Sequence, residues 1–173
     1  MWKKLLIISF YLIVCLIIYN KNTPKTTIKT IQKVNSSTPP IKEEKPIGRL
    51  IINKINLNEP LYSQESSKNN VDKHITILEH SKEPTENNSI IFLAAHSGTS
   101  KIAYFNRLNE LEIEDTIILN YNNITYEYKV NKIWEQQKNG TITVPKENNN
   151  QLILTTCSPT KKDKQLIINL YRI

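Results

Sequence analysis

DTIILNYNNITYEYKVNKIW, residues 115 to 134, holds two runs rich in Ile, Thr, Tyr and Val, separated by Asn122-Asn123. Such side chains suit a pleated surface, and asparagine tolerates the positive φ that a two-residue hairpin turn demands. The stretch predicts an antiparallel hairpin of 115–121 with 124–134. Similar runs lie on either side. GRLIINKINL (48–57) reads as a strand, followed by the turn-prone Asn58-Glu59-Pro60 and a short Leu61-Tyr62-Ser63. SIIFLAA (89–95) is a continuous apolar run of strand length, as expected of a strand buried on both faces. QLILTTC (151–157) and QLIINLYRI (165–173) flank the polar loop SPTKKDK. VDKHITILEHS (71–81) and IAYFNRLNELE (102–112) read as helices, with apolar residues at mixed three- and four-residue spacing. Six or more short strands with two small helices predict a mainly-β domain, a predominantly antiparallel β-barrel, and leave a two-sheet sandwich open.

Upstream of this domain the composition changes twice. Residues 5–19, LLIISFYLIVCLIIY, carry no charge, glycine or proline, follow Lys3 and Lys4, and with their flanks approach the length that crosses a bilayer. A cleaved signal peptide usually ends in small residues; this segment ends in IIYNKNTPK, which favours a retained anchor over 1–19. Residues 20–46 are rich in Thr, Lys, Ser and Pro and read as a flexible extracellular linker. The domain proper is 47–173, on the outer side of the cell membrane, with a single-pass anchor. The net charge of +7 is concentrated in front of it. Residues 1–46 hold eight Lys and two Glu, or +6; residues 47–173 hold fifteen Lys plus Arg and fourteen Asp plus Glu, or +1. That distribution suits an anionic membrane surface and gives no support for a nucleic-acid partner.

Two cysteines occur. Cys15 falls in the apolar segment, so Cys157 has no intrachain partner, and a lone thiol is uncommon in an extracellular domain. Cys157 ends an apolar run immediately before Ser158-Pro159; as a core residue it would be a small hydrophobe, as a strand-exit residue a nucleophile. His96 leaves IIFLAA just before SGTS and occupies the same kind of position, as a structural histidine or a general acid and base. His74 and His80, six apart in the expected first helix, lie on different faces and form no metal pair. No C-x-x-C, H-x-x-x-H or acidic cluster calls for a metal, and no cofactor is implied.

Several of these features together resemble the sortases, membrane-anchored cysteine transpeptidases of Gram-positive bacteria, over essentially the whole chain. The family's nucleophile motif T-L-x-T-C is matched by Ile153-Leu154-Thr155-Thr156-Cys157. Its histidine context is similar to LAAHSGTS, followed by an F-x-x-L pattern at Phe105-Asn106-Arg107-Leu108, and GRLIINKINLNEPLY looks like the family's opening strands. The resemblance implies a closed, antiparallel or mixed β-barrel of about eight strands with one or two short helices. It implies Cys157 as the nucleophile that forms an acyl-thioester and His96 as the general acid and base, with Thr156 and Ser97 at the substrate. It also implies substrates that are secreted proteins with a C-terminal sorting signal, and an acceptor amine from a peptidoglycan precursor or a pilin. One departure stands out. The family's third residue is an arginine at the start of the last strand, and that register falls here on Gln165, with Arg172 seven residues on as the alternative. A glutamine amide donates a hydrogen bond to an oxyanion but brings no charge.

Two other classes remain at this stage. An L,D-transpeptidase-like or peptidase-like wall enzyme also places His before Cys, but typically with a glycine before the cysteine and an arginine soon after, which TTCSPT lacks. A membrane-tethered β-domain that binds wall polymer or a partner protein would keep Cys157 structural. The segment from about 131 to 150 carries no readable signature.

Overall fold

The computed structural model describes residues 44–145, 147 and 149–173; the expected anchor (1–19) and nearly all of the expected linker (20–46) lie outside the described residues. Eight strands run in chain order: β1 (Gly48–Ile52), β2 (Leu57–Leu61), β3 (Thr76–Ile77), β4 (Ile90–Ala94), β5 (Thr116–Tyr121), β6 (Ile124–Gln137), β7 (Gln151–Cys157) and β8 (Lys164–Arg172). They form one sheet in the order β2-β1-β5-β6-β8-β7-β4-β3. Every neighbouring pair is antiparallel except β4 with β7, which run parallel. The sheet curls around a single apolar core to which all eight strands contribute, giving a nearly closed mixed barrel.

The hairpin of 115–134 forms as its sequence predicts. Tyr121 pairs with Ile124, and Asn122 and Asn123 take φ of 47° and 65°. β6 is long enough to serve two neighbours, with β5 on its first half and β8 along its second; an irregularity between Val130 and Lys132 lets the strand bend. Strand alternation then sorts the side chains. Leu50 and Ile52, Ile117 and Leu119, Tyr128 and Val130, Leu152 and Leu154, and Leu166, Ile168 and Leu170 all point inward and are fully or almost fully buried. Each such aliphatic side chain contributes about 1.5–3 kcal/mol on burial. Gly48 fits where no other residue would, because a Cβ there would stand 2.1 Å from the carbonyl oxygen of Asn120 on β5.

Three expectations are corrected. The run 48–57 is not one strand. A 3-10 turn at Asn53–Ile55 breaks it, and Asn56, in the left-handed region at φ 56°, redirects the chain into β2. Residues 71–81 are not a helix: 71–74 form turns and Thr76–Ile77 is β3, because the inward residues Ile75 and Ile77 alternate with a period of two. Residues 102–112 are turns closed by a 3-10 helix at Leu108–Glu110. Its buried residues Phe105, Leu108 and Leu111 are spaced by three, the period of a 3-10 turn.

The double burial expected of β4 belongs to β7. β4 alternates, with Phe92 only partly covered on its outer face, whereas the first six residues of β7 are all buried. Ile153 and Ile167 are completely buried although they face away from the barrel core. On the same strands the connection from β6 to β7 is tied down: Gln151 Nε2 donates to the carbonyl of Pro145 and to Asn169 Oδ1, and Asn169 Nδ2 reaches Glu147 Oε1.

Candidate active site

β4 and β7 lie side by side in parallel, with Leu93 opposite Leu154 and Ala94 opposite Thr155. His96 and Cys157 each follow two residues later, so both leave the sheet at the same level and on its outer face. Three bonds fix that level. The N–H of Ala95 donates to the Thr155 carbonyl at 3.4 Å, Thr156 Oγ1 to the Ala95 carbonyl at 2.8 Å, and Ser97 Oγ to the Cys157 carbonyl at 3.1 Å. Residues 61 apart in sequence are thereby stitched together at the mouth of the barrel.

Thr156 is placed otherwise than its position before the cysteine suggests. It has the parity of Leu152 and Leu154, is buried, and gives its hydroxyl to Ala95; it ties strands together and does not line the outer face. Ser97, half-buried, likewise braces the two exits through the Cys157 backbone.

The histidine is held from two sides. The N–H of Phe105 donates to the His96 carbonyl at 3.0 Å, while Phe105 and Leu108 sit in the core. The F-x-x-L pattern thus acts as a plug that fixes the loop after His96. From the other side, His96 Nε2 lies 2.9 Å from Asp72 Oδ1. The loop carrying Asp72 is itself propped. The Asp72 N–H donates to Asn70 Oδ1, the Tyr104 hydroxyl donates to the Lys73 carbonyl, and His74 packs against the rings of Tyr62 and Tyr104. His74 is therefore a packing residue of a turn, and His80 stands at φ 66° on the wall of a neighbouring cleft.

Asp72 carries no sequence signal beyond being an acid in a polar loop; only the fold brings it to His96. Both side chains are open to solvent, 39% exposed for His96 and 75% for Asp72. Water screens such a pair, so its energetic weight is small. Asp72→Asn should cost at most roughly fivefold in turnover while leaving the fold intact. Steady-state rates beside a thermal melt check this, and a loss of a hundredfold or more would make Asp72 indispensable.

Around the cysteine, β8 brings Gln165 directly opposite Cys157 on the same face, and β6 brings Gln136 opposite Gln165. The Gln165 amide donates to the Thr141 carbonyl at 3.1 Å, and the Gln136 amide donates to the same oxygen. Arg172, the alternative to Gln165, lies at the far end of β8 opposite Tyr128. Its guanidinium donates to the Pro84 carbonyl at 2.8 Å and sits over the Tyr126 ring. Seven residues of extended strand, roughly 23 Å, take it away from Cys157.

The cation next to the sulfur is a residue that sequence reading passes over. Lys138 Nζ stands 3.2 Å from Cys157 Sγ, and the Lys138 N–H is anchored to the Asp163 carbonyl at 2.8 Å. After Cys157 the chain turns through Ser158–Lys161, gathered by Glu135. The Ser158 hydroxyl, and next the Lys161 ammonium, hold the Glu135 carboxyl below the usual carboxylate range. Alongside lies an open cleft of about 760 Å³, with walls that include Ile77, Leu78, Phe92, Thr141 and Ile142. Phe92 shares the outer face of β4 with His96, four residues upstream, and is the β4 residue among the cleft's walls; His96 and Cys157 do not line it.

Comparison with known proteins bears on this arrangement. The model of the sortase domain matches residues 50–172. Sortase D of Bacillus subtilis (strain 168) is 34% identical over 114 residues, covering 65% of this chain and 54% of the relative, so the chain spans about half the length of that protein. Sortase A of Corynebacterium diphtheriae, as a lid mutant, superposes with a TM-score of 0.66 at 22% identity, covering 78% of this chain and 74% of the other. Sortase C1 of Streptococcus agalactiae does so with a TM-score of 0.64 at 25% identity, covering 74% and 67%. With the family's model running from the first strand of the barrel to the end of the last, this chain belongs to the sortase family.

Proposed function

We propose that this chain is a cysteine transpeptidase that cleaves a C-terminal sorting signal of secreted proteins and transfers the acyl group to an amine of the cell wall or of a pilin. The observation that carries the reading is the common exit of His96 and Cys157 from two parallel strands, with an open cleft of about 760 Å³ nearby.

The chemistry is acyl transfer in two halves. The Cys157 thiolate attacks the backbone carbonyl at the cleavage site; the S–C bond forms and the carbonyl π pair moves to oxygen. When that oxyanion collapses, the C–N bond breaks and His96 gives its proton to the departing amine, leaving a thioester. The acceptor amine then attacks the thioester carbon, neutral His96 takes the proton from its nitrogen, and the C–S bond breaks to restore the thiolate. Gln165 faces this carbonyl from β8. One N–H of its amide is on Thr141, and the other serves the oxyanion as an uncharged donor. The 1–19 segment holds the enzyme as a single-pass protein of the cell membrane with its domain outside, where such substrates pass. Nucleic acid has no part in this reading, the domain carrying +1.

The test is a transpeptidation assay. The full chain is incubated with a sorting-signal peptide and an amine acceptor, and the products are identified by mass. A product joining the N-terminal part of the peptide to the acceptor supports the reading. Intact peptide after prolonged incubation with a panel of such signals and acceptors contradicts it.

A further inference from the structure

We propose that Lys138 is a further catalytic residue, the cation against which Cys157 ionises and attacks. The proposal rests on the reading of Cys157 as the nucleophile. A thiolate is the reactive form of cysteine, and a neighbouring ammonium favours it over the thiol. Among the described residues around Cys157, Lys138 is the one that brings a charge to the sulfur: its Nζ is 3.2 Å from Sγ. Gln165, across the ladder, is neutral and donates to Thr141. Lys161 is paired with Glu135, and Lys164 follows the opposite strand parity to Gln165. Arg172 is at the other end of β8.

The position of Lys138 is built into the fold. β6 ends at Gln137 opposite Lys164, and the Lys138 backbone continues that contact through the Asp163 carbonyl. The side chain is thereby launched from the start of the β6–β7 connection toward the end of β7. Among the described residues no carboxylate lies within 4.0 Å of its ammonium, whereas Lys54 is held by two and Lys129 and Lys161 by one each. Its charge is therefore available to the sulfur. The site then carries two close contacts, Lys138 Nζ with Cys157 Sγ at 3.2 Å and His96 Nε2 with Asp72 Oδ1 at 2.9 Å, so the sulfur has a cation beside it and the imidazole a carboxylate. When the thiolate attacks, its negative charge passes to an oxygen two bonds from Sγ, within reach of the same flexible ammonium.

Alkylation by iodoacetamide tests this without any peptide substrate. The reagent is neutral, so a lysine cannot steer it, and peptide mapping of the full chain separates Cys157 from Cys15. Lys138→Met keeps the length and apolar stem and removes the charge; Lys138→Arg keeps the charge. At pH 7 the methionine variant should be alkylated at Cys157 about fivefold or more slowly than wild type. The difference should close in alkaline solution, where the thiol ionises unaided, and the arginine variant should recover most of the rate. Lys129→Met, which removes an equal charge that Glu114 already holds, should alkylate as wild type does. Equal rates for wild type and Lys138→Met at pH 7, in a protein that still forms its peptide thioester, overturn the role of Lys138 and leave the nucleophile in place. A wild-type Cys157 inert to the reagent overturns both. A loss that persists unchanged into alkaline solution, or that arginine does not repair, reduces Lys138 to packing and also overturns the proposal.

Discussion

Cys157→Ala should form no thioester and give no transfer product, while its melting temperature should stay within a few degrees of wild type. Removing a nucleophile takes away the bond-forming step itself, and in enzymes of this kind costs roughly 10⁴-fold or more in turnover. The fold tolerates the change because Cys157 is the last residue of β7 and only half-buried. The bonds that fix the strand end run through the backbone carbonyl of Cys157 and through Thr156, and alanine keeps both. Intact mass of the variant after exposure to a sorting-signal peptide, beside a thermal melt, checks the two halves of this expectation. Residual transfer above about a hundredth of wild type would place the nucleophile elsewhere.

His96→Ala should cost about 10²- to 10⁴-fold, the usual range for a positioned acid and base. In the proposed mechanism both halves of the reaction need it, since the imidazole protonates the leaving amine and deprotonates the incoming one. The loss therefore shows in single-turnover thioester formation and again in thioester breakdown by an added amine. A variant that is slow in only one half would restrict His96 to that half. The substitution leaves the loop in place, because the Phe105 N–H bonds to the backbone carbonyl of residue 96 and not to the ring.

How much of this the sequence disclosed depended on whether the information was local. The 122–123 turn was legible because two asparagines at positive φ are a local chemical statement. β7 was legible to the residue, since Ser158-Pro159 ends it, and β8 to within one. The break at 53–56 was hidden by the apolar residues Ile55 and Leu57 on either side of Asn56, whose left-handed conformation is what turns the chain. Residues 71–81 misled because Val71, Ile75 and Leu78 follow a helical spacing while Ile75 and Ile77 follow a strand spacing; pairing of β3 with β4 decided between them.

The candidate site divides the same way. His96 and Cys157 stand at strand ends, and a strand end is visible in a sequence. Gln165 was placed by counting from the cysteine, and the ladder puts it opposite Cys157. Arg172 was an alternative only while a bulge in the last strand was conceivable; the regular register of β7 with β8 closes it. Asp72 and Lys138 come from loops 24 and 19 residues away from their partners, and no periodicity or motif announces them. They are products of closure, the point at which β4, β6, β7 and β8 meet.

Intact-mass analysis of the full chain with a sorting-signal peptide tests the central claim most directly. The account predicts a mass increment equal to the N-terminal fragment of the peptide, mapped to Cys157 and released by hydroxylamine as a thioester is. A wild-type chain that carries no such increment with any signal in a broad panel, or an increment that survives in Cys157→Ala, would contradict it.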